Sequence, residues 1–212
     1  MLQIENLSFS YDDKKVLDNI NLSFNRGKSY AIVGKSGCGK TTLLSVLGGL
    51  ENKYVGNIKY NSKVIDKASI SKYHRENVSI IFQNLNLIDY LTINENIIEE
   101  HRIRRKKIVS LEEIDRLFKE FDIDEIDKSD YPCKLSGGQQ QRIAIIRTIL
   151  SDTDIILADE PTASLDKHNS DAIIDKLNGI AKDFNKIVII VAHDKSIADK
   201  CDVSIELASK NK

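Results

Sequence analysis

Short apolar stretches recur along the chain, separated by polar turns or by longer stretches in which apolar residues have helical spacing. Residues 2–10 and 20–24 alternate between apolar and polar side chains, which is typical of strands with one buried face. Polar residues at 12–15, and the pair Arg26 and Gly27, indicate turns on either side of the second strand. The first part of the chain therefore predicts an antiparallel pair of strands.

The later strand patterns are almost continuously apolar, which is typical of strands buried on both faces of a parallel sheet. They lie at 30–33, 78–82, 154–158 and 187–191, with shorter patterns at 56–60 and 202–207. Helical patterns at 42–47 and at about 167–183 follow two of these strands. Strands and helices in alternation predict an α/β fold built on a mainly parallel sheet.

One long segment, residues 85–150, interrupts this alternation and is mostly helical in pattern. Thr92 is placed to cap one helix, and Ser110 with Glu113 three residues later has the spacing of a capping box. A further helix gathers apolar side chains on one face, namely Ile143, Ile146, Ile149 and Leu150. We predict a single domain over residues 1–212 with a helical subdomain at about 85–150.

A glycine-rich loop connects the strand at 30–33 to the helix at 42–47. Its sequence is Gly34-Lys35-Ser36-Gly37-Cys38-Gly39-Lys40-Thr41, followed by Thr42, and it matches the phosphate-loop pattern G-x-x-x-x-G-K-[ST]. The glycines let backbone N–H groups face one anion, and the helix adds the positive end of its dipole. Lys40 supplies a charge for the β- and γ-phosphates, and Thr41 a hydroxyl for Mg²⁺. A glycine-rich turn that binds nothing is the alternative, but the full spacing favours a nucleoside triphosphate site.

A second candidate site lies where the strand at 154–158 ends, at Asp159 and Glu160. The carboxyl end of a parallel strand borders the nucleotide crevice in folds of this class. Asp159 is therefore placed to hold Mg²⁺, and Glu160 to orient and deprotonate the attacking water. An acidic pair on the surface is the alternative, which this context disfavours.

The composition of the chain excludes several classes of protein. The formal net charge of −1 gives no reason to expect nucleic acid as a partner. No apolar run approaches the ~20 residues that span a bilayer, and the first residues lack the basic and apolar regions of a signal peptide. Three widely spaced cysteines, Cys38, Cys133 and Cys201, argue against disulfides and zinc. We expect a cytoplasmic protein.

Two motifs in a fixed order resemble one family. Leu135-Ser136-Gly137-Gly138-Gln139-Gln140-Gln141-Arg142 lies shortly before Ile156-Leu157-Ala158-Asp159-Glu160-Pro161-Thr162, an order similar to that in the nucleotide-binding domains of ATP-binding cassette (ABC) transporters. The resemblance extends from Tyr11 to His193. It implies the ABC ATPase fold, which has a P-loop NTPase core, an antiparallel β subdomain and an inserted helical subdomain. It also implies ATP hydrolysis, with ATP and Mg²⁺ as cofactors.

The residues Ser136-Gly137-Gly138, with Gln139, have the chemistry of a second anion site, because a hydroxyl and free N–H groups meet at a helix start. One nucleotide does not need two γ-phosphate sites on one chain. The resemblance resolves this, since ABC domains pair head to tail and each phosphate loop is closed by the partner's signature motif. It therefore implies an ATP-dependent homodimer in which these residues contact nucleotide in trans.

The resemblance also assigns roles to single residues. Tyr11 resembles the aromatic residue that stacks on adenine, with a core aromatic at a strand end as the alternative. Gln83 is similar to the glutamine that meets Mg²⁺ and the attacking water. His193, after the strand at 187–191, matches the histidine that contacts the γ-phosphate. Residues 163–166, ending in Asp166, resemble the loop that crosses the dimer interface.

Because the sequence shows no membrane span, the resemblance implies a separate permease and a peripheral position on the inner face of the membrane. Residues 84–95 resemble the surface that receives a permease helix. Leu85, Leu87, Ile88, Tyr90 and Leu91, if exposed, would suit such a groove, and packing within the helical subdomain is the alternative. The basic residues 102–107 are either a solvated helix face or a contact for acidic permease loops or anionic headgroups.

The subtype of transporter is indicated by the chain length and by one dipeptide. A short chain without a C-terminal regulatory domain, and Tyr131-Pro132 just before the signature, resemble the group that exports macrolides, lipoproteins or antimicrobial peptides such as bacteriocins. An importer ATPase, for example for amino acids, is the first alternative. A non-transport ABC ATPase is the second, and the length of 212 residues disfavours it because those proteins usually carry tandem cassettes or long insertions.

Overall fold

The computed structural model describes residues 1–104, 109–163, 165 and 167–208, apart from the side chain of His168. Its strands are β1 (Leu2–Tyr11), β2 (Lys14–Phe24), β3 (Lys28–Val33), β4 (Tyr54–Tyr60), β5 (Lys63–Val64), β6 (Val78–Ile81), β7 (Ile155–Asp159), β8 (Ile187–Ala192) and β9 (Val203–Glu206). Its helices are α1 (Lys40–Leu47), α2 (Ile70–Asn77), α3 (Ile93–Arg104), α4 (Leu111–Glu120), α5 (Gly137–Leu150), α6 (Lys167–Asp183) and α7 (Lys195–Ala198), with a 3-10 turn at Pro132–Lys134. Asp166 and residues 105–107 of the basic run lie outside the described residues.

A five-stranded sheet of strand order β6-β7-β8-β3-β9 forms the centre of the fold, and every neighbouring pair in it is parallel. Alternate residues of β8 pack into two different hydrophobic clusters. Ile187 and Ile189 join the cluster that contains the apolar side chains of α1, whereas Val188 and Ile190 join the cluster built from α5 and α6. Burial on both faces explains the continuous apolar runs, and the predicted α/β fold with a parallel sheet is confirmed.

A second sheet, of order β2-β1-β4-β5, is antiparallel. The predicted antiparallel layer is confirmed, but β2 begins at Lys14 and not at residue 20. Asp12 takes a left-handed backbone angle (φ 47°), which closes the turn between β1 and β2 over two residues. Leu17, in the early part of β2, is buried in the same cluster as α1, so this sheet packs directly beside the phosphate loop.

The helical segment forms the cluster on the other side of the parallel sheet. Thr92 caps α3 reciprocally: its Oγ1 accepts from the Glu95 N–H (3.2 Å), and Glu95 Oε2 accepts from the Thr92 N–H (2.7 Å). Ser110 Oγ caps α4 by accepting from the Glu113 N–H (3.2 Å). Both predicted caps are confirmed, and the apolar residues predicted for one face of α5 are buried. Whether residues 85–150 form a separate subdomain stays a prediction.

The sequence did not predict α2, because only Ile70 and Tyr73 of its eight residues are buried and no apolar stripe marks it. Within the described residues, no helix is both long enough and apolar enough to cross a lipid bilayer.

Candidate functional site

The glycine-rich loop lies between the end of β3 and the start of α1, at the carboxyl edge of the parallel sheet. Gly39 has φ 99°, and a Cβ there would lie 2.9 Å from side-chain atoms of Val16 and Leu17. A Cβ on Gly34 would lie 2.7 Å from the Leu207 carbonyl oxygen. The tight loop that the sequence predicts therefore depends on glycine, both for backbone conformation and for close packing.

Lys40 is nearly buried, with 5 % of its surface exposed. Its Nζ donates to the Gly34 carbonyl (2.9 Å) and the Lys35 carbonyl (3.3 Å), so the ammonium group lies within the curve of the loop. An open cleft of about 360 Å³ adjoins it, lined by Val16, Ser36, Gly37, Gly39, Lys40, Thr41, Thr42, Glu160 and His193. The structure thus brings the loop together with two residues from distant parts of the sequence.

Cys38 contributes to the shape of the loop. Its backbone N–H donates to the Lys35 carbonyl (3.2 Å), and its thiol is buried against the core. The predicted contact between Cys38 and nucleotide stays a prediction, as do those of its neighbours in the loop.

Oxygen donors suited to Mg²⁺ lie at the start of α1 and the end of β7. Thr41 Oγ1 donates a hydrogen bond to Asp159 Oδ1 (3.2 Å). Burial raises the pKa of Asp159 above its ordinary value, although the bond from Thr41 acts in the opposite direction. Among the described residues, no group of three or more His, Cys, Asp or Glu side chains forms a metal centre. One hydroxyl and one carboxylate nevertheless fit a Mg²⁺ ion that takes its other ligands from phosphate and water.

Glu160 and His193 form the pair that completes the cleft, with 2.6 Å between Glu160 Oε1 and His193 Nε2. Glu160 takes a left-handed backbone angle (φ 49°), and its N–H donates to the Val191 carbonyl (2.9 Å). This conformation costs a non-glycine residue about 1–2 kcal/mol. Strain of this kind is concentrated at functional sites, where it orients a side chain for its task.

Gln83 and Tyr11 were predicted to contact the metal and the adenine ring. Gln83 is exposed and lines a smaller cavity of about 190 Å³ together with Glu160, and Gln141 of α5 also lines it. Tyr11, at the end of β1, is 48 % exposed, and its ring meets that of Phe9 edge to face at 4.8 Å between centroids. A ring this exposed has a free surface for stacking, unlike a core aromatic.

The signature residues form the first turn of α5. Ser136 Oγ accepts from the Gln139 N–H (3.3 Å), and Gln139 Oε1 accepts from the Ser136 N–H (2.9 Å), which closes a capping box. Within the described ranges Ser136 Oγ donates no hydrogen bond, so its proton is available for an anion. Gln139, predicted to contact nucleotide, has its side-chain oxygen engaged in this cap. In the described part of the chain, the residues lining the phosphate-loop cleft do not include Ser136, Gly137 or Gly138.

The surface at 84–95 agrees with the alternative, packing within the helical subdomain, for four of the five apolar residues there. Tyr90 is 80 % exposed, but Leu85, Leu87, Ile88 and Leu91 are partly buried. The reason is a set of contacts that the sequence pattern does not show. Buried Asn96 bonds to the backbone at Ile88, Leu91 and Thr92, and Arg147 of α5 donates to the carbonyls of Leu85 and Asn86.

These polar residues were missed by sequence reasoning, together with Gln141. Asn96 and Arg147 each adjoin an isoleucine in the sequence, which is a signal of a polar side chain beside an apolar face. Gln141 stands between Gln140 and Arg142, so the sequence carries no such signal for it.

Comparison with known proteins identifies the family of the chain. A family model described as ABC transporter matches residues 17–163. The chain is 40% identical over 212 residues to the uncharacterized ABC transporter ATP-binding protein YclH of Bacillus subtilis (98% of this chain, 93% of YclH). It is 34% identical to the phosphonates import ATP-binding protein PhnC of Fusobacterium nucleatum (100% and 89% covered) and 35% identical to the lipoprotein-releasing system ATP-binding protein LolD of Buchnera aphidicola (95% and 92%).

Solved structures agree with these relatives. The dimeric structure of the bacterial ABC transporter cassette MJ0796 superposes with a TM-score of 0.83 at 31% identity, covering 98% of this chain and 94% of that one. A second dimeric structure, in a post-hydrolysis state bound to ADP and phosphate, has a TM-score of 0.83 at 30% identity over 99% and 95% of the two chains.

Proposed function

The chain belongs to the ABC transporter family, whose ATP-binding subunits hydrolyse ATP with Mg²⁺, and on this premise we propose which of its residues do so. The phosphate loop, residues 34–41, with Thr42, binds the triphosphate through its N–H groups and Lys40. Tyr11 stacks on the adenine. The glycine conformations and the position of Lys40 inside the loop support these roles.

Thr41 and Asp159 hold the Mg²⁺ ion, with Gln83 as a further oxygen ligand. The hydrogen bond between Thr41 and Asp159 supports this, because it places two suitable oxygens side by side. When bound, the ion neutralises charge that develops on the phosphate oxygens. Asp159 is half-buried, and its Oδ1 accepts the hydrogen bond from Thr41 at the end of the loop.

The single observation that carries the catalytic proposal is the pairing of Glu160 with His193 at 2.6 Å, beside Lys40 in one cleft. Glu160 deprotonates the water that attacks the γ-phosphate in line. His193 orients Glu160 and contacts the γ-phosphate, while Lys40 and the loop N–H groups stabilise the transferred charge.

Phosphate release from ATP by the purified chain tests this proposal. Wild-type protein is expected to hydrolyse Mg-ATP. The rate of His193→Ala should be at least 100-fold lower. Lys195→Ala, at an exposed lysine outside the cleft, is the control and should retain activity. Full activity of His193→Ala would contradict the assignment.

ABC cassettes dimerise, as the MJ0796 structure illustrates. For this chain we infer a homodimer in which Ser136, Gly137 and Gly138 of one copy close the phosphate loop of the other. Two features support the inference. These residues present a hydroxyl proton and helix N-terminal N–H groups, and they do not line the phosphate-loop cleft of their own chain.

ABC ATP-binding subunits work with membrane permeases, and we infer that the surface at 84–95 receives the permease and keeps the protein at the inner face of the membrane. Tyr90 provides the exposed aromatic contact. Asn96 and Arg147 hold the backbone around it, so that motion of α5 reaches this surface.

Export of a peptide, a macrolide or a lipoprotein-like substrate is the finer proposal, supported by the likeness to LolD, a lipoprotein-releasing ATPase. Import is the second candidate, favoured by the comparable identity to PhnC, named for phosphonate import. Co-purification distinguishes them: an importer complex should contain a permease together with a solute-binding protein, and an exporter complex the permease alone.

A further inference from the structure

Gln141 of α5 is a buried polar residue that the proposed mechanism does not use. Its side chain is 2 % exposed, and its Oε1 has no hydrogen-bond partner among the described residues. An unpaired buried acceptor loses its bond to water without compensation, which destabilises the fold. Such an acceptor can be paired when the side chains around it take another arrangement that brings a donor to it.

The surroundings of Gln141 narrow the choice of donor. It lines the 190 Å³ cavity with Gln83, Leu85, Glu160, Pro161 and Ala163. The backbone N–H groups of Leu85, Glu160 and Ala163 already donate to carbonyls. The carboxylate of Glu160 is an acceptor and is engaged with His193. Among the described residues that line the cavity, the side-chain donor left is the NH₂ group of Gln83.

Gln83 is free to make this bond. It is exposed, and its side-chain amide makes no hydrogen bond among the described residues. An amide has an oxygen and an NH₂ group on opposite sides, so it can bind a metal with one and donate to a neighbour with the other.

We propose that Gln141 positions Gln83 for Mg²⁺: the Gln141 oxygen accepts from the Gln83 NH₂ group while the Gln83 oxygen binds the metal. The arrangement fixes which end of the amide faces the ion, as neighbours that bond to metal ligands commonly do. It also connects α5, the helix that begins at the signature residues, directly to a metal ligand. The inference rests on the proposed role of Gln83 in Mg²⁺ binding.

A double-mutant cycle on nucleotide binding tests the proposal. The dissociation constant of a non-hydrolysable ATP analogue is measured with Mg²⁺ and with EDTA. The value in EDTA divided by the value in Mg²⁺, called the metal ratio, reports how much the metal strengthens binding. Gln141→Met keeps the size of the side chain and removes the acceptor, so it is expected to lower this ratio about five-fold. In a Gln83→Ala background, Gln141→Met should have no further effect.

A purely structural role for Gln141 predicts a different effect on the melting temperature. If its amide only supported the fold, Gln141→Met would lower the melting temperature. We expect it to be unchanged or raised, since an unpaired oxygen is removed. Gln140→Met is the matched control on the same helix: Gln140 bonds to the Pro132 and Leu135 carbonyls and does not line the cavity, so the metal ratio should stay at the wild-type value.

The outcomes separate the two proposals. An unchanged ratio in Gln141→Met, or the same loss in the Gln83→Ala background, overturns the role of Gln141 and leaves the proposed function intact. A wild-type protein without Mg²⁺-dependent nucleotide binding overturns both. Should Gln141→Met not fold, Gln141→Asn, which retracts the oxygen by one methylene, replaces it in the same cycle.

Discussion

Glu160 Oε1 and His193 Nε2 meet 2.6 Å apart across the ends of two neighbouring strands. The pairing of β7 with β8 places Asp159 opposite Val191, so the residues just beyond these strands emerge side by side. The bond from the Glu160 N–H to the Val191 carbonyl holds this end of the sheet together. A candidate general base and a candidate γ-phosphate contact are therefore coupled directly to each other.

The first prediction concerns Glu160→Gln. It keeps the shape of the side chain but removes the group that takes the proton of the attacking water, so kcat should fall by at least 100-fold. ATP binding should persist, because the phosphate loop is unchanged. Phosphate release and size-exclusion chromatography with ATP measure the two effects, and we expect the variant to accumulate as an ATP-bound dimer.

Glu206→Gln is the control for that experiment, since Glu206 is an exposed carboxylate at the other edge of the sheet. Its turnover should match the wild type. Wild-type-like turnover in Glu160→Gln would reject Glu160 as the base.

A second prediction tests whether the nucleotide site is shared between two chains. Ser136→Arg and Lys40→Ala should each abolish hydrolysis, the first by blocking the signature and the second by removing the phosphate contact. In a mixture of the two variants, a heterodimer has one site with an intact Lys40 and an intact Ser136. Activity should therefore return on mixing, and a mixture as inactive as its components would exclude action in trans.

The third prediction compares two glycines of the phosphate loop. Both have positive φ angles, 74° at Gly37 and 99° at Gly39, so alanine strains the backbone at either position. Only at Gly39 does the added Cβ also meet neighbouring atoms at 2.9 Å, whereas at Gly37 nothing lies within 4 Å. Gly39→Ala should therefore lower the free energy of unfolding by about 1–3 kcal/mol more than Gly37→Ala, as measured by urea denaturation. Equal losses would contradict the packing explanation.

Features defined by local spacing were predictable from the sequence. The bounds of α6 were predicted as they occur, and Asp159 at the end of β7 accepts a hydrogen bond from Thr41 of the phosphate loop, as a shared carboxyl edge of parallel strands requires. These features depend on backbone conformation, on apolar periodicity and on the rule that parallel strands share a carboxyl edge. Backbone conformation, apolar periodicity and strand direction can each be inferred from the order of residue types along the chain.

Features that depend on a single distant contact were not predictable. Leu85 and Ile88 could not be assigned as partly buried without the contacts from Arg147 and Asn96, of which Arg147 lies 62 residues from Leu85. Gln141 stands in a run of three glutamines that looks uniformly polar, yet the helix buries Gln141 almost completely and Gln140 only in part. The spacing of apolar residues predicts which face of a helix is buried. It does not predict which neighbouring segment covers a given residue.

The fourth prediction concerns pH. Asp154 joins the two sheets through Arg26 (2.7 Å) and the Tyr60 hydroxyl. Desolvation raises the pKa of Asp154, but the hydrogen bonds from Arg26 and Tyr60 outweigh it and hold the pKa below its ordinary 3.8. A lowered folded pKa means that this stabilisation is present above 3.8 and is lost as the pH falls through the folded value.

Asp154→Asn should thus reduce the free energy of unfolding near neutral pH by about 1 kcal/mol, and the difference from wild type should shrink below pH 3.8. Urea denaturation at several pH values measures it. Asp13→Asn, at an exposed carboxylate in the turn after β1, should show no such trend. A difference that stays constant into the acid range would show that charge is not its source.

The last prediction concerns the loop that presents Tyr90. Buried Asn96 accepts from the Ile88 N–H (2.7 Å) and donates to the carbonyls of Ile88, Leu91 and Thr92 at 3.0–3.1 Å. Asn96→Leu keeps a side chain of similar size but leaves these backbone groups unpaired, so the free energy of unfolding should fall by about 2–4 kcal/mol. Limited proteolysis should cut the loop at 84–92 faster than in wild type.

The same substitution at exposed Asn52 is the matched control and should change neither the free energy of unfolding nor the rate of proteolysis.

A measurement of basal ATP hydrolysis separates the role of this loop from the role of the catalytic cleft. Asn96 holds the backbone around Tyr90 and lines neither the phosphate-loop cleft nor the cavity beside Gln83, so the folded fraction of Asn96→Leu should hydrolyse ATP at nearly the wild-type rate. Stimulation of hydrolysis by the proposed permease partner should be lost, because the proposed docking surface no longer has one backbone conformation. A loss of basal hydrolysis equal to the loss of stimulation would contradict this division of roles.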